Sequence, residues 1–245
     1  MLNNNTVTKL HEIRLGIMAQ QFRQQLLNPT MNELSFEERF GLLVDAEWSG
    51  RKSNRLKRLI KNASYAIPGA CVENIDYHAE RKLDKAMIAR LANCSYIHDN
   101  KNIIIMGATG VGKTYLACAL GIAASRNFLP VKYIRLPDLF SDLAVARADG
   151  TYRKMINHYS QIKLLILDEW LLYPLSDIES RDLLEIIEAR HDQSSFIFCS
   201  QFDVDGWHSK IGEPILADAV CDRIVHHSYR IILSGDSMRK RNRAV

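Results

Sequence analysis

Ile103-Ile104-Ile105-Met106-Gly107-Ala108-Thr109-Gly110-Val111-Gly112-Lys113-Thr114-Tyr115-Leu116 is the stretch on which the fold of this chain turns. Its first four residues are uniformly apolar, as in a strand buried on both faces. Gly107 to Thr114 fits the spacing G-x-x-x-x-G-K-[ST], and an apolar helical pattern follows at Leu116, Ala117, Ala119, Leu120, Ile122 and Ala123. Strand, glycine-rich loop and helix start, in that order, is the context of a phosphate-binding loop. The glycines let the backbone wrap a polyphosphate and aim N–H groups at it, and the helix N-terminus adds partial positive charge. The spacing assigns Gly107, Ala108, Thr109, Gly110, Val111, Gly112, Lys113, Thr114 and the adjoining Tyr115 to nucleotide binding. In such a loop the lysine, here Lys113, reaches the β- and γ-phosphates and the hydroxyl, here of Thr114, holds Mg²⁺.

Downstream, strands and helices alternate, the pattern of a parallel sheet with crossover helices. Strands are predicted at Ile103–Met106, Val131–Arg135, Lys163–Leu167, Phe196–Cys199 and Tyr229–Leu233. Helices are predicted from Lys113, Pro137 and Asp177, and over Ile215–Val225. The stretch after the last strand is too short for a separate lid domain.

Two strand ends carry further chemistry. Lys163-Leu164-Leu165-Ile166-Leu167-Asp168-Glu169 is an apolar run ending in two acids. Asp168 is placed to hold the metal of a nucleotide together with Thr114. Glu169, one residue on, is placed to polarise an attacking water. Phe196-Ile197-Phe198-Cys199-Ser200-Gln201 is a second apolar strand with a polar end. Carboxyl ends of parallel strands face the ligand, so Ser200 is the candidate for the γ-phosphate or the water, with Gln201 second. Arg223 lies late in the domain. An arginine near the γ-phosphate accelerates hydrolysis and can come from a neighbouring subunit; the plainer alternative is an Asp222–Arg223 surface pair. Arg239 is a candidate second phosphate sensor, and Lys240, Arg241 and Arg243 form a basic tail.

Upstream, the chain reads as helical. Thr6 to Leu27 has apolar residues at helical spacing (Leu10, Ile13, Ile17, Phe22, Leu26), and Asn28-Pro29 ends the pattern. Ser35 with Glu38 is a capping box opening another helix. Gly50 reads as a turn or bend. The run Arg51–Lys61 then has Arg51, Lys52, Arg55, Lys57, Arg58 and Lys61 with no acid among them. Without compensating acids, such a face suits phosphate neutralisation. Arg51, Lys52, Arg55 and Arg58 are therefore candidate DNA contacts, as are Arg147, Arg153 and Lys154 after the second core helix. The domain boundary is expected near Ile67–Asp76, with residues 1–70 a helical domain for DNA, partner or self-association and 71–245 the nucleotide-binding domain.

The 245 residues carry a net charge of +4 and 47% apolar residues, ordinary for a globular protein. No apolar run is long enough to span a membrane, and the polar Met1-Leu2-Asn3-Asn4-Asn5 start is unlike a signal segment; a cytoplasmic protein with no membrane partner is expected. The five scattered cysteines, without C-x-x-C, fit buried thiols in a reducing compartment and not a disulfide or zinc framework.

Taken together, the motifs resemble the IstB family of transposon-encoded helper ATPases, members of the AAA+ class similar to DnaC-type replicative helicase loaders. The resemblance covers almost the whole chain. It rests on Leu34-Ser35-Phe36-Glu37-Glu38-Arg39, Glu47-Trp48, Glu73-Asn74-Ile75-Asp76-Tyr77, the phosphate loop, Ser200-Gln201 followed by Trp207-His208, Ala217-Asp218-Ala219 with Asp222-Arg223, and Gly235-Asp236-Ser237-Met238-Arg239-Lys240. It implies an α/β AAA+ ATPase domain with a parallel five-stranded sheet behind a small all-helical N-terminal domain. It further implies an ATP- and Mg²⁺-dependent ATPase, stimulated by oligomerisation and DNA, that forms a homo-oligomer on double-stranded target DNA, remodels it and recruits a transposase. In that reading Lys113 and Thr114 bind ATP and Mg²⁺, Asp168 and Glu169 are the metal and water acids, Ser200 is the first sensor, Arg223 the finger across a subunit interface, and Arg239 the second sensor. Two departures stand out: the family often has a second Asp at Glu169, and commonly a Gly at Leu171. The alternatives are a helicase loader gripping a hexameric helicase, and a P-loop kinase for a small molecule.

Overall fold

The computed structural model describes residues 2–78 and 81–238. These fall into two compact units, Met1–Arg58 and Leu59–Val245. The division lies inside one helix, α3 (Phe36–Ala63), upstream of the expected boundary.

The first unit is helical throughout. The expected helix over Thr6–Leu27 is two helices, α1 (Leu2–Glu12) and α2 (Gly16–Leu27), because Arg14 turns into the left-handed region at φ 63°. Apolar spacing survives such a break, so periodicity alone hides it. Helix α3 begins at the capping box: Glu38 N–H donates to Ser35 Oγ at 3.2 Å, and Ser35 N–H to Glu38 Oε2 at 2.8 Å. It then runs unbroken through Gly50, which marks no bend. A Cβ there would lie 2.2 Å from Ile17 Cδ1, so the glycine serves close helix approach. Glu47 anchors the unit: its carboxylate accepts Met18 N–H (2.9 Å) and Arg51 Nε–H (2.7 Å), while Arg51 also donates to the Arg14 carbonyl (2.7 Å).

The second unit is built on a five-stranded parallel sheet, β1 (Asn102–Gly107), β2 (Val131–Arg135), β3 (Leu164–Trp170), β4 (Ser195–Ser200) and β5 (Ser228–Leu233), in the order β2-β3-β4-β1-β5. Strand side chains alternate between faces, and both faces are covered. Ile103, Ile105, Ile166, Ile197 and Cys199 pack with helix α6 (Lys113–Arg126) and the segment from Ala63 to Ile97. Ile104, Met106, Leu165, Leu167, Phe196 and Phe198 pack on the other side with α7 (Leu136–Ala148), α8 (Tyr152–Ser160), α9 (Asp177–Arg190), α10 (Asp205–Ile211) and α11 (Pro214–Val225). Two short helices, α4 (Lys85–Ala92) and α5 (Ser95–His98), precede β1. The fully buried Arg190 donates to the carbonyls of Tyr159, Ile162 and Ser195, joining α8, α9 and β4. Among the described residues no helix is long and apolar enough to cross a membrane.

The five strands fall where the sequence places them, with one consequential extension. β3 continues past Leu167 to Trp170, and its pairing with β4 shifts between Leu167 and Trp170. Both acids thus sit within an irregular strand end.

Candidate functional site

The carboxyl ends of β1, β3 and β4 enclose a cavity of about 430 Å³. Thr109, Gly110, Gly112, Lys113, Thr114, Tyr115, Asp168, Glu169, Trp170, Cys199 and Gln201 line it, and Ile67 and Met238 contribute from either end of the unit. The loop follows β1 directly, and its glycines take positive φ at Gly107 (150°), Gly110 (87°) and Gly112 (99°), a region that strains any residue with a Cβ. Lys113 opens α6, and its ammonium donates to the carbonyls of Gly107 (2.7 Å) and Ala108 (2.9 Å), folded back along the loop. Of the residues predicted from the motif, Thr109, Gly110, Gly112, Lys113, Thr114 and Tyr115 line the cavity, the Gly107 and Ala108 carbonyls hold Lys113, and the Val111 side chain is buried in the core.

Asp168 and Thr114 also meet there. Thr114 Oγ1 donates to Asp168 Oδ2 at 2.7 Å, and Asp168 Oδ1 accepts the Glu169 N–H at 2.8 Å. A hydroxyl beside a carboxylate is a hard oxygen donor set of the kind that suits Mg²⁺. Tyr133, buried on β2, donates to the same Oδ2 at 2.8 Å. Burial, then Asp168 itself, pushes the Tyr133 hydroxyl well up, so it stays a donor. Glu169, with φ 54°, lines the cavity, and its carboxylate lies 3.8 Å from Arg135 Nη1. Leu171 has φ 49° with its side chain fully buried. The loop after β3 thus has a glycine-like backbone although the residue is leucine.

The structure separates Ser200 from this group. Along β4, Phe196, Phe198 and Ser200 share one face, and Cys199 lies on the other. Ser200 is fully buried; its hydroxyl donates to the Phe202 carbonyl (2.7 Å) and accepts the Phe202 N–H (3.0 Å) and Trp207 Nε1–H (3.1 Å). It does not line the cavity. Gln201, the second choice, does, next to Cys199.

Arg223 lies away from its own cavity. It is on α11, donating to the Ala219 carbonyl (2.9 Å) and to Glu188 Oε1 (2.9 Å), beside Asn100, Asn102 and Ser194 at the amino ends of β1 and β4. Its acid is Glu188, not the adjacent Asp222, which pairs with His226. Arg239 and the basic tail lie outside the described residues.

The basic candidates sort by their surroundings. Arg51, Lys52, Arg55 and Arg58 are exposed on α3, although Arg51 is held by Glu47 and the Lys52 ammonium sits 3.7 Å from the centre of the Trp48 ring. Arg147 ends α7 in an ion pair with the buried Asp182 and stacks on Tyr152, which also donates to Asp182. Arg153 and Lys154 are exposed at the start of α8. That helix was not predicted, although Tyr152, Met155, Ile156 and Tyr159 carry its spacing.

One residue at the loop carries no motif signal. Arg81 donates to the Val111 carbonyl at 2.8 Å and to the Asp76 carbonyl at 2.7 Å, and is 8% exposed.

The family described as IstB-like ATP binding protein matches residues 8–245. The chain belongs to this family. IstB-like relatives include a protein of Sinorhizobium fredii, described as an insertion sequence ATP-binding protein, which is 42% identical over 99% of both chains. The ATP-binding protein of insertion sequence IS1162 from Pseudomonas fluorescens is 40% identical over 82% of this chain and 87% of its own length. Among solved structures, DnaA from Aquifex aeolicus bound to AMPPCP superposes with a TM-score of 0.58 at 19% identity, covering 70% of this chain and 52% of that one. The DnaC helicase loader superposes with a TM-score of 0.53 at 20% identity, covering 67% and 97%. At that identity the likeness shows the fold alone, and it is that of AAA+ ATPases.

Proposed function

We propose that this IstB-like chain is an ATP-hydrolysing helper of an insertion sequence, which assembles on double-stranded target DNA, remodels it and recruits the transposase. The observation that carries the reading is the convergence of the phosphate loop, the Thr114–Asp168 pair and Glu169 in one cavity, in a family of ATP-binding proteins. Relatives described as insertion sequence proteins supply the context.

In this reading Lys113 leaves the Gly107 and Ala108 carbonyls for the β- and γ-phosphates. Thr114 and Asp168 hold Mg²⁺, which when bound neutralises charge on the phosphate oxygens. Glu169 orients the attacking water, and Gln201, not Ser200, provides the polar group at the end of β4. Arg223 serves a neighbouring subunit's site, consistent with its distance from its own cavity. Arg153, Lys154 and the α3 cations contact DNA backbone, which gives affinity with little sequence choice.

The test is light scattering with and without ATP–Mg²⁺ and a duplex of about 50 base pairs, long enough for several phosphate-contacting subunits. ATP and duplex together should drive a large assembly, which Glu169→Gln should lock by blocking hydrolysis. A particle that stays monomeric under all conditions leaves Arg223 no site to complete and refutes the proposal. Duplex affinity insensitive to salt would refute the DNA arm.

A further inference from the structure

The phosphate loop is held from outside by two donors that no loop motif contains. Met238 N–H donates to the Gly110 carbonyl at 2.9 Å, and Arg81 Nη2 donates to the next carbonyl, Val111, at 2.8 Å. Among the described residues there is no cis peptide. In a trans peptide the C=O and the following N–H point to opposite sides of the plane. Arg81 is not among the residues that line the cavity, whereas Gly112 is, so holding the Val111 carbonyl on the Arg81 side turns the Gly112 N–H of the same peptide the opposite way. A backbone N–H aimed into a glycine-rich loop is an anion donor.

Arg81 is built for this task. Its guanidinium is planar and rigid, so two donors are fixed by one side chain. Nη1 is spent on the Asp76 carbonyl at 2.7 Å, which ties the fork to the segment preceding α4, and the Arg81 carbonyl accepts Ser234 N–H after β5 at 3.5 Å. Space confirms the fit: a Cβ on Gly112 would lie 2.9 Å from Arg81 Nη2. The loop's last glycine is thus favoured by its φ, and a side chain there would also displace the arginine fork pressed against it.

We propose that Arg81 is the positioning residue of the phosphate loop: by holding the Val111 carbonyl it presets the Gly112 N–H for the polyphosphate, while its buried charge adds to that of Lys113. The inference rests on the nucleotide-binding reading of the cavity and assigns the preset loop geometry to a residue far from the motif. Arg81 acts on the part of the ligand that carries phosphate and leaves the base and sugar alone.

Titration of the full chain with a fluorescent ADP, and of unlabelled adenosine by competition, tests this. For Arg81→Met, ADP affinity should fall about tenfold or more and adenosine affinity stay within about twofold, because only a phosphate meets the loop. Arg81→Lys, which keeps the charge but loses the fork, should fall between Arg81→Met and the unaltered protein toward ADP. Unchanged ADP affinity in Arg81→Met overturns the inference. So does an equal loss of ADP and adenosine, which marks general collapse of the site. Full ADP affinity in Arg81→Lys also overturns it, since charge and not peptide orientation would then be at work. Lys113→Ala separates this from the reading beneath it: if that variant binds ADP as tightly as the unaltered protein, the phosphate loop assignment itself fails.

Discussion

Ser200→Ala discriminates between a residue that meets the nucleotide and one that holds the fold. The hydroxyl accepts Trp207 Nε1–H at 3.1 Å and Phe202 N–H at 3.0 Å, and donates to the Phe202 carbonyl at 2.7 Å. Trp207 is fully buried against Trp170 and Phe198, so its indole N–H finds no water when the oxygen is removed. A buried donor left without a partner costs about 1–3 kcal/mol. The Phe202 groups belong to a half-buried turn that water reaches, so they add little. The loss should be about 2 kcal/mol, which for a domain of this size lowers the melting temperature by about 4–8 °C. Differential scanning calorimetry of the second unit's transition reads it directly, with a fluorescent ATP analogue titrated at a temperature where both proteins are folded. Nucleotide affinity and the hydrolysis rate per folded molecule should not move. Gln201→Ala should do the reverse, slowing hydrolysis without altering the melt. If Ser200→Ala melts like the unaltered protein and loses hydrolysis, the hydroxyl faces the phosphate after all, and the alternation argument along β4 is refuted.

Leu171 combines φ 49° with complete burial, so Leu171→Gly should be more stable than Leu171→Ala by about 1 kcal/mol, reversing the usual order, because only glycine relieves the backbone while both lose the packing; urea midpoints of the two variants decide it. At Glu47 burial raises the carboxyl, yet the bonds from Arg51 and the Met18 N–H outweigh it, and the net value is lowered. A depressed acid stabilises fully above the ordinary glutamate range, and that contribution fades as pH falls through the lowered folded value. Helical circular dichroism across the acid limb should therefore show a weaker pH dependence for Glu47→Gln than for the unaltered chain. Finally, an arginine acting between subunits predicts complementation. Arg223→Ala and Glu169→Gln should each be inactive alone, and mixing them should restore part of the DNA-stimulated hydrolysis, since one interface then pairs an intact acid with an intact arginine; absence of any recovery in a mixed assembly would assign Arg223 to its Glu188 contact alone.

Local chemistry was legible where one segment carries the whole signal. The strands could be read because parallel strands buried on both faces are continuous apolar runs, and the phosphate loop because its glycines, lysine and threonine lie within eight consecutive positions. The five strand positions and the meeting of Thr114 with Asp168 followed from those patterns. Gly50 and Arg14 were not legible: a glycine in a close helix contact resembles one in a bend, and a helix break need not disturb apolar spacing. Helix α8 was legible in its tyrosine, methionine and isoleucine spacing but too short to stand out.

By itself, then, the sequence determined which segments form the sheet and named the glycine-rich loop and the two acids that share one cavity, because each signal depends on neighbours along the chain. Only the tertiary structure decided the direction in which side chains face and who reaches them across distance. The pleat of β4 turned Ser200 to the core and left Gln201 beside the cavity. The return of the segment before α4 brought Arg81 to a loop thirty residues downstream. The packing of α9 against α11 gave Arg223 to Glu188. Such pairings are set by packing between elements, and no periodicity within a single element encodes them.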